Sequence, residues 1–187
     1  HQWLQQESGL DSLIEEALTA DETRPRCEAI DDGLLLSLRG VNTNPGSEPE
    51  DMVSIRLFCT GERVISTRRR QLLSIADLIQ SLERGNGPRT TGELTAMLAE
   101  RLIERMVRVI NDLEEHIDEM EENVILEAGQ ESRGNILDLR REIILLRRYI
   151  APQRDAMNQL SAADAAWLSK KNRLRLRASS DTITRHV

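Results

Sequence analysis

The sequence predicts an α/β chain in two parts. Residues 1–89 form a layered α+β domain around a small, mainly antiparallel sheet, and residues 90–187 a long antiparallel α-helical hairpin stalk. Three observations carry this expectation. Short alternating apolar segments, separated by Gly, Pro, Asn and Asp, fill the first half. From Leu94 to Val124 apolar residues recur at three- and four-residue steps with no Pro or Gly between them. A second stripe of the same kind runs from Ile136 to Leu160.

Leu10–Ala20 has helical spacing, with Ser8 and Asp11 at capping-box distance. Cys27–Ile30 and Leu34–Val41 are strands, and Asp32-Gly33 between them is a hairpin turn, because Gly accepts the positive φ such turns require. Asn42–Asp51 is a loop by composition. Met52–Cys59 alternates, with Val53, Ile55, Leu57 and Cys59 on one face. Gly61 turns the chain into a short strand, Arg63–Thr67. Leu73–Arg84 is an amphipathic helix stopped at Gly85. Thr90 and Glu93 form a capping box that opens a helix of about 31 residues, roughly 46 Å long, with Gly129 as its stop. Ile136, Leu139, Ile143, Leu146, Ile150, Met157 and Leu160 form a heptad seam. The short connection between the two helices makes them antiparallel neighbours. Ile103, Ile110, Ile144 and Leu145 widen the stripes into a further packing surface, for the first domain or for another subunit. Pro152 lacks a backbone donor and is a candidate hinge in the second helix. Ser161-Ala162 mark a break, and Ser169 caps a third, basic helix through Lys170–Arg177 with no visible end.

Composition excludes several function classes. The 187 residues hold Lys+Arg 25 against Asp+Glu 32, a net charge of −7, and aromatics are 2%. An acidic chain this poor in aromatics is no dedicated nucleic-acid module. No apolar run approaches the roughly twenty residues of a membrane span, and residues 1–30 hold no signal peptide. Cys27 and Cys59 are too few for a disulfide framework and are expected as reduced thiols and sheet neighbours, small hydrophobes if buried and without a third partner as metal ligands. His1, His116 and His186 stand apart from any nucleophile motif, and no metalloprotease, phosphate-loop or CxxC motif occurs, so no enzyme is expected. The chain opens at His1 without a methionine and is expected to be a piece of something longer.

The charge is polarised. Residues 132–187 carry twelve basic and five acidic residues, while Asn111–Glu131 holds nine acids and no Lys or Arg. Asp112, Glu114, Glu115, Asp118, Glu119, Glu121 and Glu122 crowd about three turns of helix and form a candidate cation-attracting surface. His116 lies among them and is a candidate metal ligand; the blander reading makes it amphipathic cover beside Ile117. The expected binding is diffuse and salt-sensitive rather than a rigid zinc site.

Three stretches carry a resemblance: Glu22–Glu28 (ETRPRCE), Gly33–Arg39 (GLLLSLR) and Val64–Arg70 (VISTRRR). Together they resemble the cytosolic domain of the CorA-type divalent-cation transporters. Leu146–Asp155 (LRRYIAPQRD), with Gly85–Pro88, is similar to the zinc-transporting ZntB branch of that family. The resemblance runs from about Trp3 to Trp167. It implies a homopentamer whose long helices build a cytosolic funnel on the cytoplasmic side of the cell inner membrane. It also implies two C-terminal spans, a Gly-Met-Asn motif that this chain lacks, and Zn2+ as transported or regulatory ion with no organic cofactor. Self, divalent cations and the membrane, reached through a missing C-terminal region, are the implied partners, with no nucleic acid. Strands preceding His1 are expected, so the sheet edge would be exposed. Arg68, Arg70 and Arg147–Asp155 match family motifs without revealing a role. The competing expectation is a soluble scaffold or adaptor that uses the hairpin for assembly.

Overall fold

The computed structural model describes residues 2–21, 24–126 and 130–186. Four strands, β1 (Arg26–Ile30), β2 (Gly33–Gly40), β3 (Val53–Cys59) and β4 (Val64–Arg68), form one antiparallel meander in the order β1-β2-β3-β4. Two short helices, α1 (Gln2–Gln6) and α2 (Ser12–Thr19), precede it, and α3 (Leu73–Glu83) follows. Then come α4 (Thr91–Leu126), α5 (Gln130–Ala162) and α6 (Lys170–Thr184).

Alternation along the strands divides the sheet into two buried faces. Leu34, Leu36, Leu38, Val53, Ile55, Leu57 and Cys59 face the larger core, which they share with α3–α6. Leu35, Phe58 and Ile65 face a smaller core with Leu4, Ile14 and Leu18 of α1 and α2. The result is three layers, α/β/α. The sheet is antiparallel throughout, as expected. Helix α1 was not expected; it is short and polar, and Leu4 is its only buried residue.

Several local expectations are corrected. Asp11 caps α2, its carboxylate accepting from the Leu13 N–H at 2.8 Å. Ser8 does not cap it, because its hydroxyl donates back to the Leu4 carbonyl. In the β1–β2 turn the positive φ belongs to Asp31 at 51°, not to Gly33. Gly33 is required for another reason: a Cβ there would stand 2.6 Å from the Phe58 ring. Cys27 and Cys59 lie on β1 and β3 with β2 between them, so they are not neighbours on adjacent strands. Helix α6 ends at Thr184, with Arg185 as its C-cap.

The capping box at α4 is present in a shifted form. The Glu93 N–H donates to Thr90 Oγ1 at 3.1 Å, and the Glu93 carboxylate accepts from the Arg89 N–H at 2.8 Å. The expected stop at Gly129 lies outside the described residues. Helix α5 continues through Pro152 without interruption.

The long helices have two unlike halves. Leu98, Leu102, Ile103, Met106 and Ile110 of α4 are buried in the large core, with Leu146, Ile150, Met157 and Leu160 of α5 and Leu176 and Ile183 of α6. Beyond Ile110 a separate, thinner cluster holds the hairpin together: Ile117 against Ile136 and Ile143, flanked by Leu113, Met120 and Leu139. Of the four residues that widen the stripes, Ile103 and Ile110 thus pack within the chain, while Ile144 is 66% exposed. Among the described residues no helix is long and apolar enough to cross a membrane.

Candidate functional site

The acidic surface occupies the thin outer half of α4. Asp112, Glu115, His116, Asp118, Glu119 and Glu122 are exposed there. Glu114 and Glu121 turn instead toward α5, where Arg147 donates to Glu114 at 2.5 Å and Arg140 pairs with Glu121. The two ion pairs step seven residues up α4 and seven down α5, the signature of an antiparallel pair. Two of the seven carboxylates therefore lace the hairpin, and five face outward beside His116. Among the described residues, no three His, Cys, Asp or Glu side chains form a group that could hold a metal ion. Carboxylates spread along one exposed helix face can still raise the local concentration of cations.

Where α5 meets the sheet, sequence reasoning missed its main contact. β1 pairs with β2 only as far as Ser37, leaving the β2 edge open beyond it. Gln153, fully buried, fills that gap. Its Oε1 accepts from the Arg39 N–H at 2.8 Å and its Nε2 donates to the Arg39 carbonyl at 2.7 Å. Gln159, further along α5, accepts from the Cys27 N–H at 3.4 Å. Two guanidiniums lie over the ring of Tyr149, one turn before Gln153. Arg39 is 4.5 Å and Arg148 4.7 Å from its ring centroid. The candidate hinge Pro152 is thus adjacent to the residue that pins α5 to the sheet.

The basic helix α6 is partly committed to the fold. Ser169 caps it, accepting from the Asn172 N–H at 3.2 Å. Arg173 folds back over the α5–α6 connection and donates to the carbonyls of Ser161, Ala163, Ala165 and Leu168 at 2.6–3.1 Å. Arg175 pairs with Glu100 of α4 at 2.8 Å. Lys170, Lys171 and Arg177 remain exposed. The two thiols are poor ligands: burial pushes Cys27 up to about 12, with Glu28 adding to it. Burial does the same to Cys59, also up to about 12, against a lowering hydrogen bond from Thr95.

A third feature was not foreseen. Arg56, in the middle of β3, lines a crevice of about 510 Å³ with Arg68, Arg69 and Arg70. The only signal for it in the sequence is its place in an alternating strand, between Ile55 and Leu57, which face the large core.

With this layered sheet and long hairpin in place, residues 1–187 match the family model described as CorA-like Mg2+ transporter protein. The chain belongs to the CorA-like family. Among its relatives, this CorA-like chain is 34% identical over 183 residues to the zinc transport protein ZntB of Pectobacterium carotovorum, matching 98% of the chain and 56% of that protein. It is 42% identical over 167 residues to the divalent cation transporter CmaX of Pseudomonas aeruginosa, matching 88% of the chain and 50% of that protein. The chain spans about half the length of the curated relatives it matches. The crystal structure of the ZntB cytoplasmic domain from Vibrio parahaemolyticus superposes with a TM-score of 0.87 at 27% identity, covering 99% of this chain and 73% of that one. The CorA-like fold expected from the three motif stretches is therefore the fold observed.

Proposed function

We propose that this chain is the cytosolic funnel and regulatory domain of a homopentameric divalent-cation transporter of the CorA type, with zinc as its cargo. The observation that carries the reading is the superposition on a ZntB cytoplasmic domain over nearly the whole chain. The names of the relatives support zinc, since ZntB is called a zinc transport protein and CmaX a divalent cation transporter. Transport itself would belong to a membrane region joined to this domain at the cytoplasmic side of the inner membrane. The domain performs no catalysis and carries no organic cofactor. Its role at the acidic outer hairpin is to concentrate cations, without a tight zinc site at His116. Pro152 acts as the hinge that links hairpin movement to the sheet.

The test has two parts. Sedimentation of the chain over a range of concentrations, with and without Zn2+, should show a monomer–pentamer equilibrium; a strict dimer at all concentrations would sink the ring. Calorimetry then compares two variants at low and high salt. Asp118→Asn/Glu119→Gln/Glu122→Gln should lose most of a weak, salt-sensitive heat that His116→Ala retains. If His116→Ala abolishes zinc binding while the carboxylate variant keeps it, the diffuse reading is wrong.

A further inference from the structure

Arg56 is a buried cation with no paired anion among the described residues. Ile55 and Leu57 face the large core, so Arg56 points to the opposite side of the sheet. There it is only 4% exposed. Its Nη2 donates to the main-chain carbonyl of Asp21 at 3.2 Å, and its buried Nε has no hydrogen-bond partner. The Asp21 carboxylate is taken by Arg69. Among the described residues, no ion pair reaches Arg56. A guanidinium does not shed its proton in a protein, so the site stays charged. Burial, then Arg69 and Arg39, press its pKa downward, with Asp21 opposing them.

The surroundings match this deficit. The crevice of about 510 Å³ is lined by four arginines, with Ser66, Thr67, Thr19 and Gln71 as neutral polar groups and no acidic residue among the described ones. An adjoining cavity of about 200 Å³ shares Arg56, Arg69 and Arg70 and adds Arg39, together with two acids, Asp21, whose carboxylate pairs with Arg69, and Asp51. Arg70 is exposed and lines both of these, as well as the cavity under Tyr149. Planar guanidiniums engage phosphate oxygens two at a time, which lysines cannot do. The volume falls in the range of small-molecule sites, about 300–1,000 Å³, well beyond what a single halide fills.

We propose that this crevice binds a small molecule carrying two or three linked phosphate groups, with Arg56 at its floor and Arg68, Arg69 and Arg70 at its mouth. The linked phosphates supply the several negative charges that four guanidiniums call for. They could belong to inorganic pyrophosphate or to a nucleoside di- or triphosphate. Through Arg39 and Arg70 the site adjoins the junction where Gln153 pins α5, so occupancy is positioned to stiffen that junction.

The experiment titrates the chain calorimetrically, with EDTA present, with pyrophosphate, ADP, ATP, AMP, inorganic phosphate and sodium chloride. Pyrophosphate, ADP and ATP should bind at least about tenfold more tightly than AMP or phosphate. Equal affinity for pyrophosphate and the nucleotides assigns recognition to the phosphates alone; tighter nucleotide binding adds the base. Arg70→Ala, an exposed change, should keep the circular dichroism spectrum and weaken pyrophosphate about tenfold or more. Arg56→Met removes the unpaired charge, so it should melt at an equal or higher temperature than the parent without ligand and lose the pyrophosphate-induced rise in Tm. The proposal is overturned by folded parent protein that shows neither heat nor a Tm shift with pyrophosphate up to about 1 mM. It is equally overturned by chloride reproducing the shift at matched ionic strength, or by both variants binding as the parent does.

Discussion

Gln153 satisfies two main-chain groups of Arg39 that no strand reaches, from a helix and inside the core. Deleting its amide leaves both unpaired in a buried place, where each such loss costs about 1–3 kcal/mol. Gln153→Ala should therefore lower stability by about 2–4 kcal/mol in urea unfolding, far more than a change at the exposed Gln80. The residue was legible in the sequence as a gap. The seam steps by seven from Ile150 to Met157, and position 153 is where the missing seam residue belongs. A glutamine there was passed over because heptad reasoning looks for apolar side chains. Glu142 offers a second test. Burial, then Glu50, Glu48 and Asp138, hold its carboxyl above the usual range. The folded state thus binds this proton more tightly than the unfolded one, so the stabilising contribution is complete below the ordinary glutamate pKa and is lost as pH rises through the raised value. Glu142→Gln should raise Tm near pH 7, and the gain should vanish below about pH 4. A gain that persists in acid would assign the effect to something other than charge. Turn and cap chemistry was less legible, because Ser8 and Asp11 are both good caps and only the path of the chain decides between them.

At the scale of elements, the long helices were read well because their apolar periods are long and uninterrupted. Helix α1 was missed because five residues give no period to read. The pairing of α4 with α5 rests at its outer end on the small Ile117 cluster and on ion pairs whose side chains are 41–56% exposed. Exposed ion pairs contribute little. A double-mutant cycle on Glu121→Gln and Arg140→Gln should give a coupling of about 0.2–1 kcal/mol. It should shrink between low and 0.5 M salt, with the Debye length falling to a few ångströms. A coupling that ignores salt would mean that the pair is more sheltered than its exposure indicates. The same arithmetic explains why the acidic face was easy to see and its partners were not: charge is written in the sequence, but which carboxylates turn inward is set by helix phase against α5.

At the scale of the molecule, one core unites the sheet with α3, the inner halves of α4 and α5, and α6. The division near residue 90 marks a change of pattern in the sequence, across which this core is continuous. The outer hairpin lacks that support, so its amides should open by local unfolding well below the global free energy. Hydrogen exchange should run at least about tenfold faster at 111–122 of α4 than at 96–110, which corresponds to about 1.4 kcal/mol of local difference. Uniform protection along α4 would show the hairpin to be as cooperative as the core. The basic tail was legible as charge, yet its function as a clasp was not, because nothing in a run of arginines announces that Arg173 closes over four carbonyls.

The pin at Gln153 also has a mechanical meaning. From Gln153 to Gln130, α5 runs 23 residues toward the hairpin tip, about 34 Å of helix at 1.5 Å per residue. It is a cantilever whose fixed end combines two hydrogen bonds on one strand edge with the burial of Leu146, Ile150, Met157 and Leu160 in the large core. A tilt of about 5° at that fixing point carries the far end sideways by about 3 Å, close to the spacing of successive residues along a strand. Conversely, a push at the acidic tip arrives at Arg39 as torque, multiplied by the length of the arm, on the strand edge beside Tyr149.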